Sequence, residues 1–132
     1  GGPGELVVDV VGGQNLRDVR MMFSMKPFVV VVVGGPGSKK TCHTTPATGK
    51  NPTWDGMVAN FVFGGEKDVT FQVVHKSTSG PHDDVLIGEC SIPLDPTKPR
   101  DVPFHDEPVP LMWQSTRGSV PAGFLHIRLT WR

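Results

Sequence analysis

His75, His82, Asp83, Asp84 and His105 are the side chains with the chemistry to hold a transition metal, since imidazole and carboxylate are its usual protein ligands. Their spacing matches no ligand pattern, and loop residues of this kind are ordinarily solvated. Nucleophilic chemistry is no better supported. There is no Gly-x-Ser-x-Gly elbow and no Gly-rich phosphate loop ahead of a Lys-Ser/Thr pair, and neither Cys42 nor Cys90 neighbours a basic pair that would favour its thiolate. The sequence therefore reads as a non-enzyme, with no catalytic residue, no cofactor and no bound metal assigned.

The residues from Arg17 to Lys26 carry a different chemistry. Met21, Met22, Phe23 and Met25 are flanked by Arg17, Arg20 and Lys26, in a stretch where a solvated loop would be polar throughout. Apolar side chains beside cations suit insertion into a lipid headgroup layer, and they suit a groove on a protein equally well. The alternative is that Met21, Met22 and Phe23 fold back to cover a core.

The elements that must position these residues read as strands. Sixteen Gly and 13 Pro punctuate short Val- and Phe-rich runs, and no segment holds an apolar period of 3.6 with caps, which is the pattern of an all-β sandwich or barrel. Eight strands are expected: Leu6 to Val11, Phe28 to Val33, Lys39 to His43, Met57 to Phe63, Val69 to Val74, Leu86 to Ile92, Val109 to Trp113 and Phe124 to Trp131. In the last, Leu125, Ile127, Leu129 and Trp131 share one face and His126, Arg128 and Thr130 the other. The unbroken apolar run Val29 to Val33 is too short to span a membrane and reads as a fully buried central strand. Gly34-Gly35-Pro36-Gly37 reads as a turn, and the Pro-rich stretch from Asp95 to Pro108 as a surface loop. Cys42 and Cys90 fall within strands and read as small buried hydrophobes rather than a disulfide.

A length of 132 residues suits a single domain, taken as residues 5–132 after a linker at 1–4 that implies a longer parent protein. Thirteen basic residues balance 13 acidic ones, which argues against generic nucleic-acid binding and weakens a purely electrostatic membrane anchor. No signal peptide, transmembrane segment or heptad repeat is evident, so a cytosolic address with peripheral membrane or cytoskeletal association is the expectation.

Asn51-Pro52-Thr53-Trp54, followed by the Phe61-Val62-Phe63 strand, resembles the most recognisable motif of the C2 domain. The likeness continues in order along the chain. Leu6-Val7-Val8 through Asn15-Leu16 resembles the family's opening strand and its exit. Lys26-Pro27-Phe28-Val29 stands where the family has Asp-Pro-Tyr-Val, and Asp84-Val85-Leu86-Ile87-Gly88-Glu89 resembles its Asp-x-x-Gly-Glu. The final strand, Phe124 to Trp131, resembles that of extended synaptotagmins, which implies the circularly permuted, type II order of an eight-stranded antiparallel Greek-key β-sandwich.

The resemblance implies three loops at one end of the sandwich that in Ca2+-binding members supply about five aspartates. The matching positions here are Arg20 and Lys26 in the first loop, His75 and Ser77 in the third, and Asp83 or Asp84 at the last. Two cations at ligand positions oppose Ca2+ by Coulomb repulsion, so Ca2+ binding is not expected. Across the three loops Arg17, Arg20, Lys26, Lys50 and Lys76 face Asp18, Asp83 and Asp84, a mild bias toward anions that His75 and His82 would strengthen below about pH 6.5. A second family site, a lysine-rich concave face, retains only Lys39 and Lys40, with His43 nearby. The implied function is a Ca2+-independent, non-catalytic module of a larger protein, acting as a protein-interaction scaffold or, alternatively, docking an anionic membrane through its first loop.

Overall fold

The computed structural model describes residues 2–35, 38–56 and 58–132. Its strands are β1 (Glu5–Gln14), β2 (Pro27–Gly35), β3 (Ser38–His43), β4 (Val58–Val62), β5 (Asp68–His75), β6 (Val85–Pro93), β7 (Pro103–Ser115) and β8 (Gly118–Trp131), with one short 3-10 turn at Pro81–Asp83. They follow the order β3-β2-β5-β6-β7-β8-β1-β4, every pairing antiparallel. The ladder between β6 and β7 is a single residue pair, Glu89 with Met112, so two four-stranded layers hinge there and face each other as a β-sandwich. Met57, expected to open the fourth strand, and Pro36 and Gly37 of the expected turn lie outside the described residues.

The core comes from strict alternation. Leu6, Val8 and Val10 of β1, Val29, Val31 and Val33 of β2, Val69, Phe71 and Val73 of β5, and Leu125, Ile127, Leu129 and Trp131 of β8 all point inward. Val30 and Val32 are half-buried rather than buried, which corrects the expectation of a wholly buried second strand. A two-layer sandwich leaves every strand one outward face, whatever its composition.

Two aromatic plugs close the ends. Trp131 is stacked on Phe104 (5.2 Å between centroids), meets Phe63 edge-on (4.7 Å), and donates Nε1–H to the Asp95 carbonyl at 2.8 Å. Trp54 plugs the loop end. It is 2% exposed, and its Nε1–H reaches the Pro27 carbonyl at 3.3 Å. The Asn51-Pro52 turn is stitched to the bulged end of β1: Gly13 N–H donates to Pro52 O at 2.9 Å, Trp54 N–H to Val11 O at 3.0 Å, and Asn15 N–H to Asn51 Oδ1 at 2.9 Å.

The stretch Asp95 to Pro108, expected as a surface loop, is corrected in its second half, because β7 already begins at Pro103 and pairs with β8 from Thr130 onward. Prolines fit there because that part of β7 has no ladder with β6 on its other side, and the register shifts fall beside Pro103 and Pro110. Gly88 marks the closest approach between layers, since a Cβ there would lie 2.6 Å from that of Ala122. Cys42, Val31, Phe71 and Cys90 form one row across β3, β2, β5 and β6, so the two thiols stand roughly 14 Å apart at strand spacing, beyond disulfide reach. Burial pushes the Cys90 thiol up to about 12, with Glu89 adding to the effect. Replacing Trp54 by Ala should lower stability by about 3–5 kcal/mol in denaturant titrations, because it empties the plug, while the Pro27 carbonyl keeps the Ala47 amide as its donor; a variant as stable as the parent would show that the indole closes nothing.

Candidate functional site

Antiparallel order brings three connections to one end of the sandwich: loop 1 (residues 15–26), loop 2 (44–56) and loop 3 (76–84). Backbone bonds tie them together. Leu16 N–H donates to Lys50 O, Gly49 N–H to Met25 O and Lys76 N–H to Lys26 O, each at 2.9 Å. The β7–β8 hairpin reaches the same end, because β8 passes Gln14, the last residue of β1, at Phe124 and continues beyond it.

Loop 1 divides the four apolar residues that the sequence left ambiguous. Met25 folds inward, 1% exposed, with its sulfur accepting the Val19 N–H at 3.4 Å. Met21, Met22 and Phe23 project, 89%, 87% and 66% exposed. Local chemistry holds them out: Asp18 Oδ1 accepts the amides of Arg20 (2.9 Å) and Met21 (3.0 Å), and Met21 adopts a positive φ of 52°. Those two amides depress the Asp18 pKa, and Lys50 adds to the effect. A shallow cleft of about 440 Å3 runs between this tip and Gly49, Lys50 and Asn51 of loop 2.

The cations are less alike than their sequence suggested. Arg17, expected among the docking residues, turns inward: it donates to Leu86 O (2.7 Å) and Ile87 O (3.0 Å) and lies 3.9 Å over the Trp113 ring. It clamps loop 1 to β6 and β7, a role no local sequence signal could reveal, since Trp113 is 96 positions away. Arg20 lies 4.9 Å over the Phe23 ring. Lys26 is exposed and its Nζ donates to Thr48 Oγ1 at 3.0 Å; Lys50 and Lys76 are exposed on loops 2 and 3. Lys39 and Lys40 do not form a patch. Period-2 alternation sends them to opposite faces of β3, and Lys40 crosses the open edge of the sandwich to the Val62 carbonyl and, at 2.9 Å, to Glu66.

Of the positions that correspond to Ca2+ ligands, the two that keep a carboxylate are engaged within loop 3. Asp84 Oδ1 accepts the Ser77 N–H at 2.8 Å, while Asp83 Oδ2 accepts the Ser79 hydroxyl at 2.6 Å and lies 3.7 Å from His82. Among the described residues no group of three or more His, Cys, Asp or Glu side chains is arranged to hold a metal ion. His75 is 2% exposed; Nδ1 accepts the Lys26 N–H at 2.9 Å and Nε2 lies 3.4 Å from Arg20 Nη1.

Burial first, and the Arg20 charge second, hold His75 below its ordinary value, with Asp84 acting the other way, so His75 takes up charge at lower pH than a free imidazole. A histidine whose folded pKa is lowered takes up a proton on unfolding; its contribution is complete above about pH 6.5 and declines as pH falls below that value. Between about pH 6.5 and pH 5 the melting temperature of the parent should therefore fall more steeply than that of His75→Asn, whose Oδ1 can still accept the Lys26 amide. Parallel curves would show that His75 titrates normally.

The C2 domain family model matches residues 4–109. Solved structures with the same fold include a C2 domain of plant extended synaptotagmin 1 (20% identity, TM-score 0.67, covering 100% of this chain and 96% of that one) and a further C2 domain (18%, 0.68, 97% of each). Human group IVD cytosolic phospholipase A2 also matches (13%, 0.67, 99% of this chain), but over only 17% of its own length. At these identities the likeness to solved structures concerns the fold alone, and no curated protein matches the chain. With most of its length matched by the family model and every strand in the corresponding order, the chain belongs to the C2 domain family, whose members are generally non-catalytic modules for protein or membrane interaction.

Proposed function

We propose that this C2 domain is a peripheral membrane-docking module that engages anionic lipid surfaces through loop 1 without Ca2+. The observation that carries the reading is the projection of Met21, Met22 and Phe23 into solvent beside Arg20, Lys26 and Lys50. Three adjacent apolar side chains held outward by an Asp18-capped turn are an energetic burden in water and an asset at a headgroup boundary. Each gains roughly 1.5–3 kcal/mol if fully buried, while each cation near an anionic surface adds about 1 kcal/mol. The apolar part is the larger, which suits a chain of zero net charge. Ca2+ independence is supported by Arg20, Lys26, His75 and Ser77 at the corresponding ligand positions and by the engagement of Asp18, Asp83 and Asp84 within their own loops.

The scaffold reading keeps one observation in its favour: the same tip, with the cleft beside it, offers a groove and anchors to a protein. Salt separates the two. Vesicle binding should weaken severalfold between about 0.05 M and 0.5 M NaCl without vanishing, because only the cation contribution is screened. An apolar protein groove should hardly respond.

Co-sedimentation with phosphatidylcholine vesicles containing phosphatidylserine tests the proposal. Replacing both Met22 and Phe23 by Ser should abolish binding and leave the melting temperature within a degree or two, since both side chains are exposed. Lys39→Ala should change little. A double mutant that still binds would move the contact elsewhere, and one that unfolds would show that the tip supports the core. Millimolar Ca2+ should neither raise the melting temperature nor strengthen vesicle binding; an EDTA-reversible rise in either would overturn the Ca2+-independent reading.

A further inference from the structure

The contact between Arg20 and His75 is electrostatically incomplete. The Lys26 amide can only donate, so Nδ1 of His75 carries the lone pair and the proton of the neutral ring sits on Nε2. The group facing Nε2 is Nη1 of Arg20 at 3.4 Å, and a guanidinium has no lone pair to offer. Two N–H donors thus point at one place, and one of them belongs to a side chain only 2% exposed. Protonating the ring would not help, because Nδ1–H would then meet the Lys26 N–H.

We propose that this place is an oxyanion site, in which a phosphoryl oxygen accepts hydrogen bonds from His75 Nε2–H and the Arg20 guanidinium together. His75 ends β5 and is fixed by packing, whereas Arg20 is half-exposed on loop 1, so the arginine is the movable half that admits the anion. Of the neighbouring carboxylates, Asp18 Oδ1 holds the amides of Arg20 and Met21 and Asp84 Oδ1 holds the Ser77 amide, while the Asp84 charge still reaches His75 and opposes the anion that Arg20 attracts. Lys26, Lys50 and Lys76 are exposed on the same cluster of loops. Arg20 also lies against Phe23, 4.9 Å from Cζ to the ring centroid, which sets the anion beside the projecting tip. The inference deepens the docking reading and rests on it for the lipid source. Its chemistry is equally that of soluble phosphate.

Two arms of one experiment separate these sources. In the first, parent protein is titrated with inorganic phosphate at constant ionic strength, with chloride as control, while long-range proton–nitrogen spectra follow the His75 ring. Phosphate should move Nε2 saturably and Nδ1 little; Arg20→Gln and His75→Asn should each weaken binding at least about tenfold, as the loss of one charge-assisted hydrogen bond implies. In the second, vesicles of phosphatidylcholine with and without phosphatidylglycerol should bind the parent, and Arg20→Gln and His75→Asn should bind both kinds several-fold more weakly, since both headgroups carry the phosphodiester, while keeping the partition that Met22 and Phe23 provide. A His75 ring unmoved by phosphate and by anionic vesicles, with vesicle binding intact, overturns the oxyanion site and leaves the docking reading standing. A phosphate response without any vesicle binding keeps the site, assigns it a soluble source and removes the membrane. The parent titration decides the matter even if His75→Asn fails to fold.

Discussion

Lys26, the residue before β2, and His75, the last residue of β5, sit at adjacent strand ends that would otherwise splay into separate loops, and the 2.9 Å bond from the Lys26 amide to His75 Nδ1 fastens those ends together. The bond repeats the sheet's own logic one residue beyond the ladder, where the Lys76 amide in turn finds the Lys26 carbonyl. Because a backbone amide cannot reverse its role, the bond also fixes which ring nitrogen faces loop 1. Position and tautomer at the centre of the apex therefore descend from one contact that packing keeps dry.

Around it the apex is built from the inside outward. Trp54, Leu16 and Met25 form a closed apolar floor, Arg17 clamps loop 1 to β6 and Trp113, and the Asn51 turn holds the bulged end of β1. Only above that floor does the chain expose Met21, Met22 and Phe23. A rigid base matters for an exposed apolar tip: side chains already held apart by local structure lose less conformational freedom on contact, and they are less able to collapse onto one another in water.

Much of this was legible in the residues. Alternation in β8 identified its buried face residue by residue, and Asn-Pro followed by Trp located a turn over a plug, because both signals are local and periodic. The failures share a cause. Val30 and Val32 looked as buried as Val29 because composition does not say how many layers cover a strand, and β7 was cut short because proline reads as a loop signal unless the strand's unpaired side is known. Arg17, Arg20 and Lys26 looked equivalent in sequence, yet one is a clamp, one stacks on Phe23, and one reaches loop 2. Their partners are too distant in the chain for any motif to contain both.

That divergence bears on regulation. A loop cluster that borrows its positive charge from a dissociable Ca2+ ion can be switched by the ion's concentration, whereas charge carried by arginine is permanent, since the guanidinium stays protonated throughout the physiological range. At this apex the permanent charge of Arg20 sits against a histidine whose pKa is lowered, so under the proposed Ca2+-independent reading neither calcium nor mild acid offers an obvious way to change that contact. Control of such a module would have to come from the opposing surface: the density of phosphate or acidic lipid it meets, or the number of copies gathered there, where avidity multiplies a weak single contact. A modest tip with fixed charge is suited to that kind of reading, because it responds to what the surface presents rather than to a signal delivered to itself.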